Sequence, residues 1–259
     1  MDFSKRLGRV NENSIFRMDG YFVWCGTVTR SDDGKYYLFF SFWEKSATFN
    51  TGWVTCSKIG YATSDSPYGG FEYKGVALAG GDGWDSGSVH NPTVVKHSGR
   101  YYMYYMGNHG DGTFWSHRNN QRIGLAIADD PSGPWQRFDA PILDVSRDGF
   151  DSLMVSNPSV TVGKDGKVYM IYKAVSDSGV LPRGGAVVCG IATADKPEGP
   201  FEKYGEPILV NPKNDWSVED AFIWYENGKY YVIAKDFQGY FTRSDKGDMA
   251  LFCSDDGCV

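Results

Sequence analysis

No stretch of the sequence approaches the ~18 consecutive apolar residues that a bilayer-spanning helix needs, so a helical membrane span is excluded. A Lys/Arg-rich run is also missing. With 26 basic residues against 32 acidic ones the net charge is −6, and nothing in the chain is suited to neutralising a phosphate backbone, so no nucleic-acid partner is expected. Histidine is scarce, and its four copies show no HExxH or other metal-ligand spacing, so neither a metal nor a cofactor is expected. The cysteines Cys25, Cys56, Cys189, Cys253 and Cys258 are odd in number and irregular in spacing. They read as small buried apolar residues rather than a disulfide framework. The opening segment MDFSKRLGRVNENS has no apolar signal core, so a cytoplasmic location is expected unless a leader was removed, in which case a periplasmic or secreted one is. No segment shows the periodicity of an amphipathic helix, so no helix is expected.

Aromatic residues and glycine are plentiful. The chain of 259 residues carries 17 Tyr, 16 Phe, 8 Trp and 32 Gly, and 41% of it is hydrophobic, enough for a substantial core. Aromatics favour strands, and when exposed they stack on flat ligands such as sugars. Three signatures recur in fixed order. An entry strand reads CGTVTR (25–30), NPTVVK (91–96), NPSVTV (157–162) and DAFIWY (220–225). A turn and strand follow as DGKYYLFFS (33–41), SGRYYMYYM (98–106), DGKVYMIYK (165–173) and NGKYYVIAK (227–235). The third signature is IGYATSDSPYGGFE (59–72), IGLAIADDPSGPWQ (123–136) and CGIATADKPEGPFE (189–202), with MALFCSDDG (249–257) as its last copy.

Asp-Gly, Ser-Gly and Asn-Gly before aromatic and β-branched runs read as two-residue hairpin turns. The Pro/Gly segments end strands. A final FEYKGVAL-like strand makes four strands per unit. The fold expected is therefore all-β, a β-propeller of four-stranded antiparallel blades. A single domain spans 1–259, with blades at about 16–79, 80–145 and 146–211 and an incomplete one at 212–259. Open edge strands favour self-association.

The NPxV…DGKYYLxY…ATSDSPxGPFE grammar, from about Phe16 to Asp256, resembles the five-bladed propeller glycosidases. These are glycoside hydrolase families 43 and 117 and related bacterial glycosidase- and sucrase-like proteins. The resemblance implies five blades, a carbohydrate substrate, no cofactor, and inverting hydrolysis by a carboxylate base and a separate acid. It also implies Asp-Pro at the start of the innermost strand in blades one and three, where this chain has Cys25-Gly26 and Asn157-Pro158. In blade four, Glu219-Asp220-Ala221 stands where the family's Glu-Gly-Pro acid motif would be.

Innermost strands surround a propeller axis, so Trp24-Cys25, His90-Asn91, Ser156-Asn157 and Glu219-Asp220 are expected to converge on one pocket. Asp19, Asp85 and Asp151 each lie six residues before Cys25, Asn91 and Asn157. The catalytic expectation is Glu219 as general acid and Asp19 as general base, with Asp151 or Asp85 orienting substrate or tuning a pKa. Aspartates at a fixed offset also serve as turn or strand caps. Asn91 and Asn157 either cap strands or bond sugar hydroxyls, and His90 is either a structural hydrogen-bonder or part of the site. Trp24 is a stacking platform or a core residue. Lys173 and Lys235, ending the second strands of blades three and four, line the pocket as anion binders or point to solvent. The blade-two loop carrying His109, Trp115, His117, Arg118 and Arg122 either closes over the pocket or is simply solvated. A glycoside hydrolase is the leading reading. The alternatives are a phosphorylase, with Lys173, Lys235 or Arg122 binding phosphate, and a non-catalytic carbohydrate-binding propeller.

Overall fold

The structure, a computed structural model, describes residue 5, residues 8–244 and residues 247–257. Cys258 lies outside them; Cys25, Cys56, Cys189 and Cys253 are unpaired thiols.

The x-Gly dipeptides set the hairpins. Ser98-Gly99 and Asn227-Gly228 have both residues at positive φ (48° and 80°, 52° and 82°), the two-residue turn whose twist matches the flanking strands. The Asp33-Gly34 and Asp165-Gly166 turns differ from expectation. Only the glycine is left-handed there, and longer loops close through Ser31 N to Lys35 O and Gly163 N to Lys167 O.

Blade one runs β1 (Tyr21–Arg30), β2 (Tyr36–Glu44), β3 (Lys58–Ser64) and β4 (Glu72–Leu78), in that spatial order. Blade two is β5 (Ser88–His97), β6 (Arg100–Asn108), β7 (Arg122–Ala128) and β8 (Gln136–Arg137). Blade three is β9 (Met154–Val162), β10 (Val168–Val175), β11 (Val187–Ala194) and β12 (Glu202–Lys203). Blade four has three strands among the described residues: β13 (Glu219–Glu226), β14 (Lys229–Lys235) and β15 (Met249–Ser254). Every pairing between these strands is antiparallel, so the all-β propeller architecture stands. Four blades are present among the described residues, not the five that the resemblance implies.

Two short helices, α1 (Phe49–Thr55) and α2 (Phe114–Asn119), depart from the expectation of none. At seven and six residues they are too short to display a periodicity. They fill the extra length between second and third strands in blades one and two, and Trp53 packs edge-on against Phe114. The Thr113 side chain caps α2 by accepting the Ser116 N–H.

The core lies between blades. Phe39, Ile59, Val89 and Met103 join blade one to blade two. Tyr104, Leu125, Val155 and Met170 join two to three, and Ile171, Ile191, Ile223 and Ala234 join three to four. Neighbouring blades latch to each other near the axis. Asn91 N–H donates to Ser41 Oγ at 2.9 Å, Thr93 Oγ1 to Pro158 O at 2.6 Å, and Ile223 N–H to Ser159 Oγ at 3.0 Å. β1, β5, β9 and β13 pack in succession, and no comparable packing joins β13 to β1. Blade one instead covers its free face with Phe16 and Met18 from the segment before it.

Candidate functional site

All four innermost strands carry the same irregularity. The register slips between Trp24 and Thr27, between His90 and Thr93, opposite Ile171 and Lys173 in blade three, and between Glu219 and Phe222. At each slip one residue is left-handed: Cys25 (φ 45°), Asn91 (49°), Asn157 (49°) and Asp220 (52°). A bulge of this kind re-aims a side chain, and Asn and Asp tolerate the left-handed region better than other non-glycine residues. The positions at which the repeats differ most are therefore the ones the backbone turns toward the axis.

A cavity of about 320 Å³ opens there, within the size of a small-ligand pocket. Its two walls differ in character. Blades one and two supply rings: Trp24, Trp43, Phe49, Trp53 and His90. Blades three and four supply Asn157, Lys173, Glu219, Asp220 and Lys235, with Phe237 beside them. The Lys173 ammonium ion-pairs with Glu219, and both side chains are largely buried. Asn157 Nδ2 donates to Asp220 Oδ1 at 2.8 Å. The protein packed around Asp220 and the neighbouring Glu219 charge raise its pKa, against the opposing pull of Lys173, Asn157 and Lys235. Burial, then Asp220 and Glu219, push the Cys25 thiol well up, so it is a neutral group on the axis. The Lys235 ammonium lies 4.3 Å from the Phe237 ring centroid.

His90 is buried between the Trp43 and Trp53 rings, with Nδ1 2.8 Å from Ser57 Oγ. Burial, aided by the Lys173 charge, lowers its pKa to about 3, so it is a neutral hydrogen-bonding wall residue and not a proton-carrying acid.

Trp24, His90, Asn91, Asn157, Lys173, Glu219, Asp220 and Lys235 thus line one cavity, whereas Cys25 and the buried Ser156, also expected there, are not part of its lining. Nor are the upstream aspartates. Asp85, 2% exposed, accepts from Tyr105 Oη at 2.9 Å and Arg137 at 2.7 Å. Asp151, also 2% exposed, meets Tyr172 Oη at 3.1 Å and Lys203 Nζ at 2.6 Å. Arg137 and Lys203 sit at the same register on the outermost strands, opposite Ala126 and Ala192. Each aspartate therefore pins the lead-in of its blade to the blade's second and last strands, away from the pocket lining. Blade one has Phe40 and Tyr73 at the partner positions, so Asp19 lacks that anchor and lies exposed in the turn before β1. The strand from Tyr21 onward carries the chain away from it, and at the rise of an extended strand the stretch Tyr21 to Cys25 alone spans roughly 13 Å. Asp19 as base and Asp151 or Asp85 as auxiliaries are corrected on this geometry.

Arg122 is likewise outside the pocket, ion-paired with Asp144 and donating to the Asn119, Gln121 and Leu153 carbonyls. The blade-two loop is a built element. His117 is buried, with Nδ1 2.7 Å from Asn108 Oδ1 and Nε2 accepting from Gly112 N–H, and Arg118 donates to Arg183 O. Sequence reasoning missed Trp43, Phe49, Trp53 and Phe237. The extra length of the blade-one loop was the available signal for Phe49 and Trp53; Phe237 had none, because its loop is shaped by Asp236. That buried carboxylate accepts backbone N–H bonds from Tyr240, Phe241 and Thr242.

No family model matches the chain. It is 26% identical over 239 residues to a xylosidase/arabinosidase of Bacteroides ovatus, spanning 82% of this chain and 63% of that protein. It is equally 26% identical over 239 residues to an extracellular endo-α-(1→5)-L-arabinanase of Bacillus subtilis, spanning 87% of this chain and 45% of that one. The chain thus covers less than two thirds of the length of these relatives. Among solved structures, a family 117 glycoside hydrolase of the marine bacterium Zobellia galactanivorans superposes with a TM-score of 0.70 at 24% identity, covering 97% of this chain and 70% of that chain. A thermostable family-43 glycoside hydrolase superposes with a TM-score of 0.64 at 20% identity, over 92% and 70% of the two chains. The fold is that of the propellers on which these glycoside hydrolases are built.

Proposed function

We propose that the axial pocket cleaves a glycosidic bond of an oligosaccharide by acid/base hydrolysis. One observation carries this reading: a carboxyl with a raised pKa and a lysine-paired carboxylate share the polar wall. Asp220 has a raised pKa, while Glu219 stands ion-paired with Lys173. A carboxyl with a raised pKa is suited to protonate a leaving oxygen. Asp220 thereby takes the acid role that the sequence suggests for Glu219, and Glu219, held by Lys173 on the same wall, supplies negative charge beside the sugar ring where the transition state becomes positive. The ring-rich wall opposite offers a stacking face for a pyranose or furanose, with Trp24 44% exposed and Phe49 37%. The relatives named above are themselves glycoside hydrolases, and they support the same reaction class.

The test is turnover on a panel of oligosaccharides, with the anomer of the first-formed product read by NMR. Inversion is the outcome the resemblance favours. Asp220→Asn and Glu219→Gln are each expected to lower kcat by about 10²- to 10⁴-fold. Full activity in either variant removes the assignment. A second reading, glycan binding without cleavage, is favoured by one observation: among the described residues lining the pocket, the blade-one and blade-two wall carries no carboxylate. It predicts saturable glycan binding with no sugar released.

A further inference from the structure

Ser41, Met106, Lys173 and Lys235 occupy one register position, opposite Trp24, His90, Ser156 and Glu219 respectively. The polar side chains at this position reach toward the next blade around the axis. Ser41 accepts from Asn91 of blade two, and Lys173 pairs with Glu219 of blade four. Lys235 has the same placement in blade four, but what lies onward is the open cavity and the blade-one wall, where Trp24 stands at the position of Glu219. No carboxylate among the described residues ion-pairs with Lys235; its ammonium rests on Phe237. Among the described residues, Lys173 and Lys235 are the only cations lining the cavity, and Glu219 and Asp220 the only acids. Lys173 is matched by an ion pair with Glu219, whereas Lys235 feels the Asp220 charge only at longer range and has no ion pair among the described residues.

We infer that Lys235 is the receptor for a sugar carboxylate, so that the pocket takes an acidic glycan with a uronate ring against the Trp24 wall; this rests on the glycan reading above. The charge on offer is a single ammonium. A phosphate at neutral pH carries more than one negative charge and is usually met by several donors or an arginine fork, and no arginine among the described residues lines this cavity. A carboxylate, with one charge and two acceptor oxygens, matches one ammonium.

The experiment is equilibrium binding, read by calorimetry and by the fluorescence of Trp24, Trp43 and Trp53. The probes are D-galacturonate and D-glucuronate, their neutral counterparts D-galactose and D-glucose, and inorganic phosphate. At low ionic strength a uronate is expected to bind about tenfold tighter than its neutral counterpart, as a charge-assisted hydrogen bond implies. Lys235→Met should abolish that preference, lowering uronate affinity about tenfold more than neutral-sugar affinity, and Lys235→Arg should retain it. Circular dichroism of both variants guards against misfolding. Equal binding of uronate and neutral sugar, or a preference that survives Lys235→Met, overturns the inference. So does phosphate displacing the uronate and accelerating cleavage of a glycoside, which would assign Lys235 to a phosphate nucleophile. These monosaccharide probes have no glycosidic bond to cleave. A protein inert toward glycosides that still prefers uronates loses the hydrolysis reading and keeps this one, whereas an active hydrolase indifferent to the carboxylate loses only this one.

Discussion

Lys173→Met isolates the electrostatic centre of the pocket. The substitution keeps the length of the side chain and removes its charge. Glu219, 14% exposed in the native pair, then loses its ion-pair partner, which is itself 13% exposed. Removing one partner of a buried pair typically costs 3–5 kcal/mol, because the surviving charge stays desolvated. The cavity admits some solvent, so we expect the low end, about 3 kcal/mol. For a chain of this size that corresponds to a melting temperature lower by roughly 6–12 °C. Glu219→Gln should cost a similar amount by stranding the Lys173 ammonium. The double variant strands neither, so its loss should fall well short of the two single losses combined. A double-mutant cycle by urea unfolding is therefore expected to give a coupling of about 2–3 kcal/mol. A coupling below about 0.5 kcal/mol would refute the view that this pair, rather than packing around it, organises the pocket. The same variant has an electrostatic signature. Lys173 lowers the pKa of both Asp220 and His90, so its removal should move both upward, with His90 still held low by burial.

Three further outcomes follow from the same geometry. If Asp220 is the acid, kcat/KM is highest with it protonated and falls as pH rises through its raised pKa, and Asp220→Asn should abolish that limb of the pH–rate profile. Asp151→Asn should lower stability by about 3 kcal/mol, because Lys203 loses its buried partner, while kcat stays within about twofold of wild type; a larger loss of turnover would restore a catalytic role for Asp151. Burial raises the Asp236 carboxyl, but the backbone N–H groups of Thr242, Phe241 and Tyr240 with the Thr242 hydroxyl outweigh it and hold its pKa below the usual range. Its stabilisation is then present above the unfolded-state pKa and lost as pH falls through the folded one, so thermal melts of wild type and Asp236→Asn should converge toward acid and differ by about 1–3 kcal/mol near neutrality.

Much of the architecture could be read from residue order alone. Turn dipeptides, the period-2 aromatic strands and the Pro/Gly stops repeat, and repetition of a unit that cannot bury its own faces implies stacked blades around an axis. Aligning the repeats also located the pocket, because the four positions that break the shared pattern are the bulged, left-handed residues Cys25, Asn91, Asn157 and Asp220. These are local properties of the chain: propensities and spacings are visible without knowing what touches what.

The roles of individual acids were not local. Asp19, Asp85 and Asp151 share an offset, yet two are buried pins and one is exposed. What separates them is whether strands two and four of the blade supply a Tyr hydroxyl and a cation, contacts formed only when the sheet pairs. Likewise Lys173 and Lys235 have matching places in the repeat, and only the arrangement of blades gives one a carboxylate and the other an open cavity. The sequence by itself determined the repeating unit, the blades and the axial position of the pocket, since these follow from backbone periodicity. Tertiary structure alone decided which charges are neutralised and which remain for a ligand, since that depends on partners brought together from different strands and blades.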